Sequence, residues 1–164
     1  MTVLDLAPVL GSGAGIAALE AADHYLLKPN YGISCLCPPL GATAVILFAM
    51  SKAPAAQPRS VLGAYIVASV ASLAVLTLLP PEYSYLAKPL AVALTIAGMA
   101  KTETMHPPAG AYAFLFANNK MTAENIFSPG LVGAAILLAV QKVAFAVEES
   151  LNQPEPKGRA KKTK

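Results

Sequence analysis

CPPLGATAVILFA, residues 37–49, and HPPAGAYAFLFAN, residues 106–118, align without a gap. Each opens with an acceptor of structure followed by a double proline and then an apolar run. Two successive prolines remove two backbone donors and disfavour helix in the residue before them. Proline is nevertheless well suited to the first turn of a helix. The spacing therefore predicts an extended approach ending at Cys37 or His106, then a helix starting at the prolines. A helix from Leu40 to Met50 is about 16 Å long, half the hydrocarbon thickness of a bilayer. Such broken backbone survives at membrane depth only where protein or a watery cavity satisfies it.

Composition sets the surroundings of these two stretches. The chain has 164 residues, 55% hydrophobic and 13% charged, with a mean hydropathy of +0.55. A soluble domain carries about a quarter of its residues as charge, so the reading is a membrane protein. Charges and prolines divide it into six apolar segments: Leu6–Leu27, Tyr31–Met50, Ser60–Leu79, Pro89–Ala100, a short fifth after Pro107, and Gly130–Val147. The expected fold class is an all-α polytopic membrane protein of two related half-repeats, each holding a Pro-Pro broken or re-entrant helix. Residues 1–150 form one membrane domain, with half-repeats at about 6–79 and 84–147. LGAYIV at Leu62 matches VGAAIL at Val132, and YLLKP at Tyr25 resembles YLAKP at Tyr85.

The net charge of +3 comes from the tail. Residues 1–150 hold seven basic and eight acidic groups, whereas KGRAKKTK, residues 157–164, holds five basic ones. A body without a basic face speaks against nucleic acid as a partner. The segment 151–164 reads as a disordered basic cytoplasmic tail that touches anionic membrane lipid. Lys52, Arg59, Lys101 and the tail fall on one side if all six segments cross, which places both termini in the cytoplasm. The halves then have opposite orientation, a recurring transporter plan. Four crossings with two re-entrant segments place the termini equally well, and the sequence leaves both counts open. Cys35 and Cys37 are too closely spaced for the usual structural zinc pair. With only two histidines, neither a metal nor a cofactor is expected.

The first turn of a helix carries unsatisfied N–H groups and the positive end of its dipole. Gly41 and Ala42 after one double proline, and Gly110 and Ala111 after the other, are candidate elements of an anion site. Small residues for close helix packing are the plainer reading of the same positions. Thr43 and Tyr112 occupy equivalent repeat positions and offer hydroxyl donors. His106 stands beside a helix start, where a protonated ring would donate to an anion and a neutral one would simply cap the loop. Thr102 and Thr104 lie just before it, with Glu103 between them. Glu20 and His24 share a helix face or mark the wet end of the first span.

GATAVILF, SKAPAAQPRSVLGAYI, TMHPPAGAYA and GLVGAAILL together resemble the HPP family of integral membrane proteins, over roughly Gly32 to Val147. The family takes its name from the His-Pro-Pro found here at residues 106–108. It is generally described as having four transmembrane helices, which implies that the double-proline segments are re-entrant. Members in cyanobacteria and plant plastids are associated with nitrite transport. The resemblance implies a non-enzymatic transporter of a small inorganic anion, nitrite foremost, in a bacterial inner membrane. A broader anion channel and a non-transporting scaffold are the alternatives, and homo-oligomer formation stays open.

Overall fold

The computed structural model describes residues 6–152. The basic tail expected over 151–164 lies, from residue 153 onward, outside the described residues. Each of the six apolar segments contains a helix, and the described residues contain no strand. Helix α1 runs over Leu6–Ala22 and continues through a π-helical turn, Asp23–Leu27, into Lys28–Tyr31. Pro29 cannot donate to the Tyr25 carbonyl, and the wider turn just before it absorbs that lost bond. Gly32, at φ 65°, ends the helix in the left-handed conformation open to glycine.

Helices α2 (Pro39–Ala49) and α5 (Pro107–Asn118) start at the two double prolines, as the spacing predicts. His106 is extended, with φ −143° and ψ 98°. Between them stand α3 (Pro58–Leu78) and α4 (Ala87–Thr102), and the last helix is α6 (Gly130–Asn152). Pro80 and Pro81 prevent α3 from continuing, while Glu103 closes α4 in a left-handed turn at φ 56°.

The long helices form a row, α1 on α6, α6 on α3, α3 on α4. The short helices tile one side of that row: α2 on α1 and α6, α5 on α3 and α4, with α2 and α5 touching each other. Along α1 the descending segment can be followed residue by residue. Ser34 bonds Asp23, the Cys35 thiol donates to the Leu19 carbonyl at 3.4 Å, and Phe48 lies against Gly11. Along α3 the other segment climbs, from Thr102 at Arg59, through Thr104 at Gly63, to Ala113 at Ser72. Each double-proline segment thus passes on in one direction. In each, an extended approach and a half-helix together cover the length of a full helix.

Exposure repeats along the chain. The alternation of buried and exposed positions over 62–72 recurs exposure class for exposure class at 131–141, 69 residues later. The pattern over 38–49 recurs at 107–118 with the same offset, differing only at Gly110, half-buried where Gly41 is exposed. That over 11–20 recurs at 91–100. The sequence pair YLLKP and YLAKP does not belong to this set: Tyr25–Pro29 lies near the end of α1, and Tyr85–Pro89 leads into the start of α4. Among the described residues two stretches are long and apolar enough to cross a membrane, Pro58–Leu78 and Ala123–Leu151, the latter taking in nearly all of α6.

The six tyrosines separate by position. Tyr25, Tyr31, Tyr83 and Tyr85 are exposed at the end of the bundle where α1 finishes and α4 begins, whereas Tyr65 and Tyr112 are fully buried at its centre. Leu10 and Gly11 share a cavity with Phe145 and Leu151, so the start of α1 and the end of α6 lie together at the opposite end.

Candidate functional site

Where α2 and α5 meet, three buried side chains and the carbonyl of half-buried Ala55 come together. Thr43 Oγ1 lies 2.9 Å from Tyr65 Oη and 3.1 Å from His106 Nε2, and His106 Nδ1 lies 2.8 Å from the Ala55 carbonyl. Thr43, Tyr65 and His106 have no exposed surface. The carbonyl can only accept, so Nδ1 donates to it, and in the neutral ring Nε2 accepts from the Thr43 hydroxyl, whose Oγ1 also lies 3.3 Å from the Pro39 carbonyl. Thr43 then accepts from Tyr65, and each proton has a destination. The chain Tyr65 to Thr43 to His106 to Ala55 is a neutral imidazole relay, fully satisfied in an apolar body. A partly satisfied network at such depth would be costly.

Helical geometry delivers these groups. Thr43 is on the second turn of α2, Tyr65 two turns into α3, and His106 on the extended residue before α5. Tyr112 packs its ring against Tyr65 with centroids 5.2 Å apart, and its hydroxyl donates to the Asn125 carbonyl at 3.3 Å. Gly130 at the start of α6 lets the two tyrosines close, and Gly133 lets α6 approach Leu40 and Cys35. A Cβ at Gly130 would sit 2.7 Å from both tyrosine rings, and one at Gly133 would sit 2.5 Å from the Cys35 carbonyl.

The other predicted positions fall elsewhere. Gly41, Ala42 and Ala111 are exposed and Gly110 is half-buried; no atom would lie within 4 Å of a Cβ on either glycine. Some backbone donors of each first turn are taken by local carbonyls. In α2 the Leu40 N–H bonds the Cys37 carbonyl and the Gly41 N–H bonds that of Pro38, while Pro39 has no N–H. In α5 the first two residues are prolines and the Ala109 N–H bonds the His106 carbonyl. The double proline removes donors that the start of a helix would otherwise leave unpaired. Thr104 is buried, with its methyl over Gly63, and its hydroxyl lies 2.7 Å from that of exposed Thr102. Among the described residues no group of His, Cys, Asp and Glu is placed to hold a metal ion.

Two participants escaped the sequence reading. Tyr65 was one tyrosine in a charge-free span, and its hydroxyl in apolar surroundings was the available signal, since a buried tyrosine needs a partner. Asp23 is the other. Its buried carboxylate accepts from Ser34 Oγ at 2.6 Å and the Cys35 N–H at 2.8 Å, and pairs with Lys28 at 2.5 Å. It pins the extended segment to α1.

Among the described residues the fold is an all-helical bundle around a buried polar centre, with two stretches long and apolar enough to cross a membrane. Residues 4–153 match the family description "HPP, transmembrane region", and the chain belongs to that family. It is similar to two proteins of Dictyostelium discoideum described as transmembrane proteins, each 36% identical over 138 residues. Those alignments take in 79% of this chain but 47% and 43% of the relatives, so it spans less than half their length. No solved structure matches it.

Proposed function

We propose that the chain crosses the membrane six times as two half-repeats of opposite orientation and moves a small inorganic anion through its centre. The observation that carries this reading is the relay of Tyr65, Thr43 and His106, buried where both broken helices begin. The 69-residue recurrence of exposure supports the half-repeats, and the pairing of α1 with α6 and of α3 with α4 is what an inverted duplication leads to. Both termini then share one side, the cytoplasm by the distribution of Lys and Arg. Nitrite is the first substrate to try, on family resemblance.

The mechanism follows from the hydroxyls. Burying an unpaired anion is costly, and hydrogen bonds to a charged group contribute roughly 1.5–3 kcal/mol each. Thr43, Tyr65 and Tyr112 each hold a donor that already has a neutral partner. An entering anion exchanges those partners rather than gaining free donors, which keeps its net binding weak enough for release. The test is initial flux in proteoliposomes with nitrite, nitrate, formate, chloride and bicarbonate under controlled proton gradients. Thr43→Val and His106→Ala should each lower flux at least about tenfold, the equivalent of about 1.4 kcal/mol, and Gly110→Val should leave it near wild type. Flux no greater than in empty vesicles, or flux insensitive to both relay variants, would overturn the reading. Saturation and counterflow separate a carrier from an anion channel of broader specificity.

A further inference from the structure

At the end of the bundle where α3 finishes and α4 begins, a cavity of about 660 Å³ lies outside the relay. Leu73, Leu76, Leu79 and Met121 form its apolar floor, with Ala87 and Ala117 between them. Lys120 supplies a cation and Ser84 a hydroxyl, while the Thr77 hydroxyl donates to the Leu73 and Ala74 carbonyls and that of Thr122 to Asn125 Oδ1. A cavity of this size with an apolar lining and a few converging polar groups is the usual form of a small-molecule site. We propose that it binds an anionic phospholipid, its acyl chain against the leucines and its phosphate at Lys120. This inference is independent of the anion-transport reading.

Three observations select that occupant. The cavity follows the last turns of α3 from Leu73 to Leu79, about 9 Å at 1.5 Å per residue. That is the depth at which the apolar part of an interfacial ligand sits below the headgroups. Exposed Tyr83 and Tyr85 flank the same end, as aromatic side chains do at a membrane–water boundary. Lys120 lines the opening from a left-handed turn at φ 49° that redirects the chain over the cavity. The nearby Lys88 is already engaged, 3.4 Å from Asn118 Oδ1 and over the Phe114 ring. Glu82 and Glu124 stand at this end but do not line the cavity. A sugar or peptide would waste the leucine floor, and a neutral lipid would leave Lys120 unused.

The experiment is native mass spectrometry of the purified full chain titrated with phosphatidylglycerol and, separately, phosphatidylcholine. One phosphatidylglycerol should bind about fivefold more tightly than phosphatidylcholine, the ratio expected from one basic residue near a headgroup. Lys120→Glu should abolish that preference, and Lys52→Glu at the opposite end should preserve it. Ala123→Trp, which fills the cavity from its exposed rim, should lower occupancy by both lipids about tenfold. Equal binding of the two lipids by the wild type would overturn the proposal, as would a preference that survives Lys120→Glu. Displacement of the lipid by millimolar inorganic phosphate would also overturn it, by assigning the site to free phosphate. Should Ala123→Trp fail to fold by circular dichroism, the Lys120→Glu comparison decides alone.

Discussion

Replacing Thr43 with Val keeps the side-chain volume and removes one hydroxyl. That hydroxyl donates to His106 Nε2 at 3.1 Å and accepts from Tyr65 at 2.9 Å, and all three side chains are fully buried. The variant leaves one acceptor and one donor without partners. In water-soluble proteins each such orphan costs about 1–3 kcal/mol. Between membrane helices the measured couplings average about 0.6 kcal/mol and reach about 1.7, because the unfolded chain in lipid also finds partners. Two lost bonds therefore destabilise Thr43→Val by about 1–3 kcal/mol. Tyr65→Phe removes the orphaned donor, so the double variant should be less destabilised than the sum of the singles by about 0.5–1.5 kcal/mol. Thr43→Ser should retain most of the stability. The assay is reversible unfolding in mixed micelles, with the four-member cycle run under one condition. A Thr43→Val variant within 0.3 kcal/mol of wild type, together with strict additivity, would refute a relay centred on this residue.

Three further outcomes are expected. Gly133→Ala should destabilise by at least about 2 kcal/mol, the scale of overpacking, because its Cβ meets the Cys35 carbonyl and Leu40; Gly41→Ala and Gly110→Ala, open within 4 Å, should stay within about 0.5 kcal/mol in the same unfolding assay. Cys37 is half-buried and lines a groove with Ile16, Glu20 and Leu40, whereas Cys35 is fully buried, so a membrane-permeant maleimide should modify Cys37 first by peptide mapping. Single cysteines in 51–57 and 119–123 should label from opposite sides of sealed vesicles with an impermeant reagent, since those loops lie at opposite ends of the bundle; labelling from one side would restore the re-entrant path.

The sequence by itself determined the helices and where they break. Pro38–Pro39 and Pro107–Pro108 set the starts of α2 and α5 through chemistry confined to one or two residues, and the apolar run of 60–79 needed only its length. Membership of the HPP family was also legible, in motifs that stand contiguous in the chain. The site was legible in part. His106 and Thr43 were singled out separately, but their contact spans 63 positions and the one to Ala55 spans 51, distances that no local pattern encodes. Only the tertiary structure decided that the half-helices lie side by side on one face of a four-helix row. It also decided that the Leu40, Gly41 and Ala109 N–H groups turn back on the carbonyls of Cys37, Pro38 and His106. The polar centre consequently belongs to side chains brought in from α2, α3 and the approach to α5, because a buried hydroxyl takes whichever partner packing puts within reach.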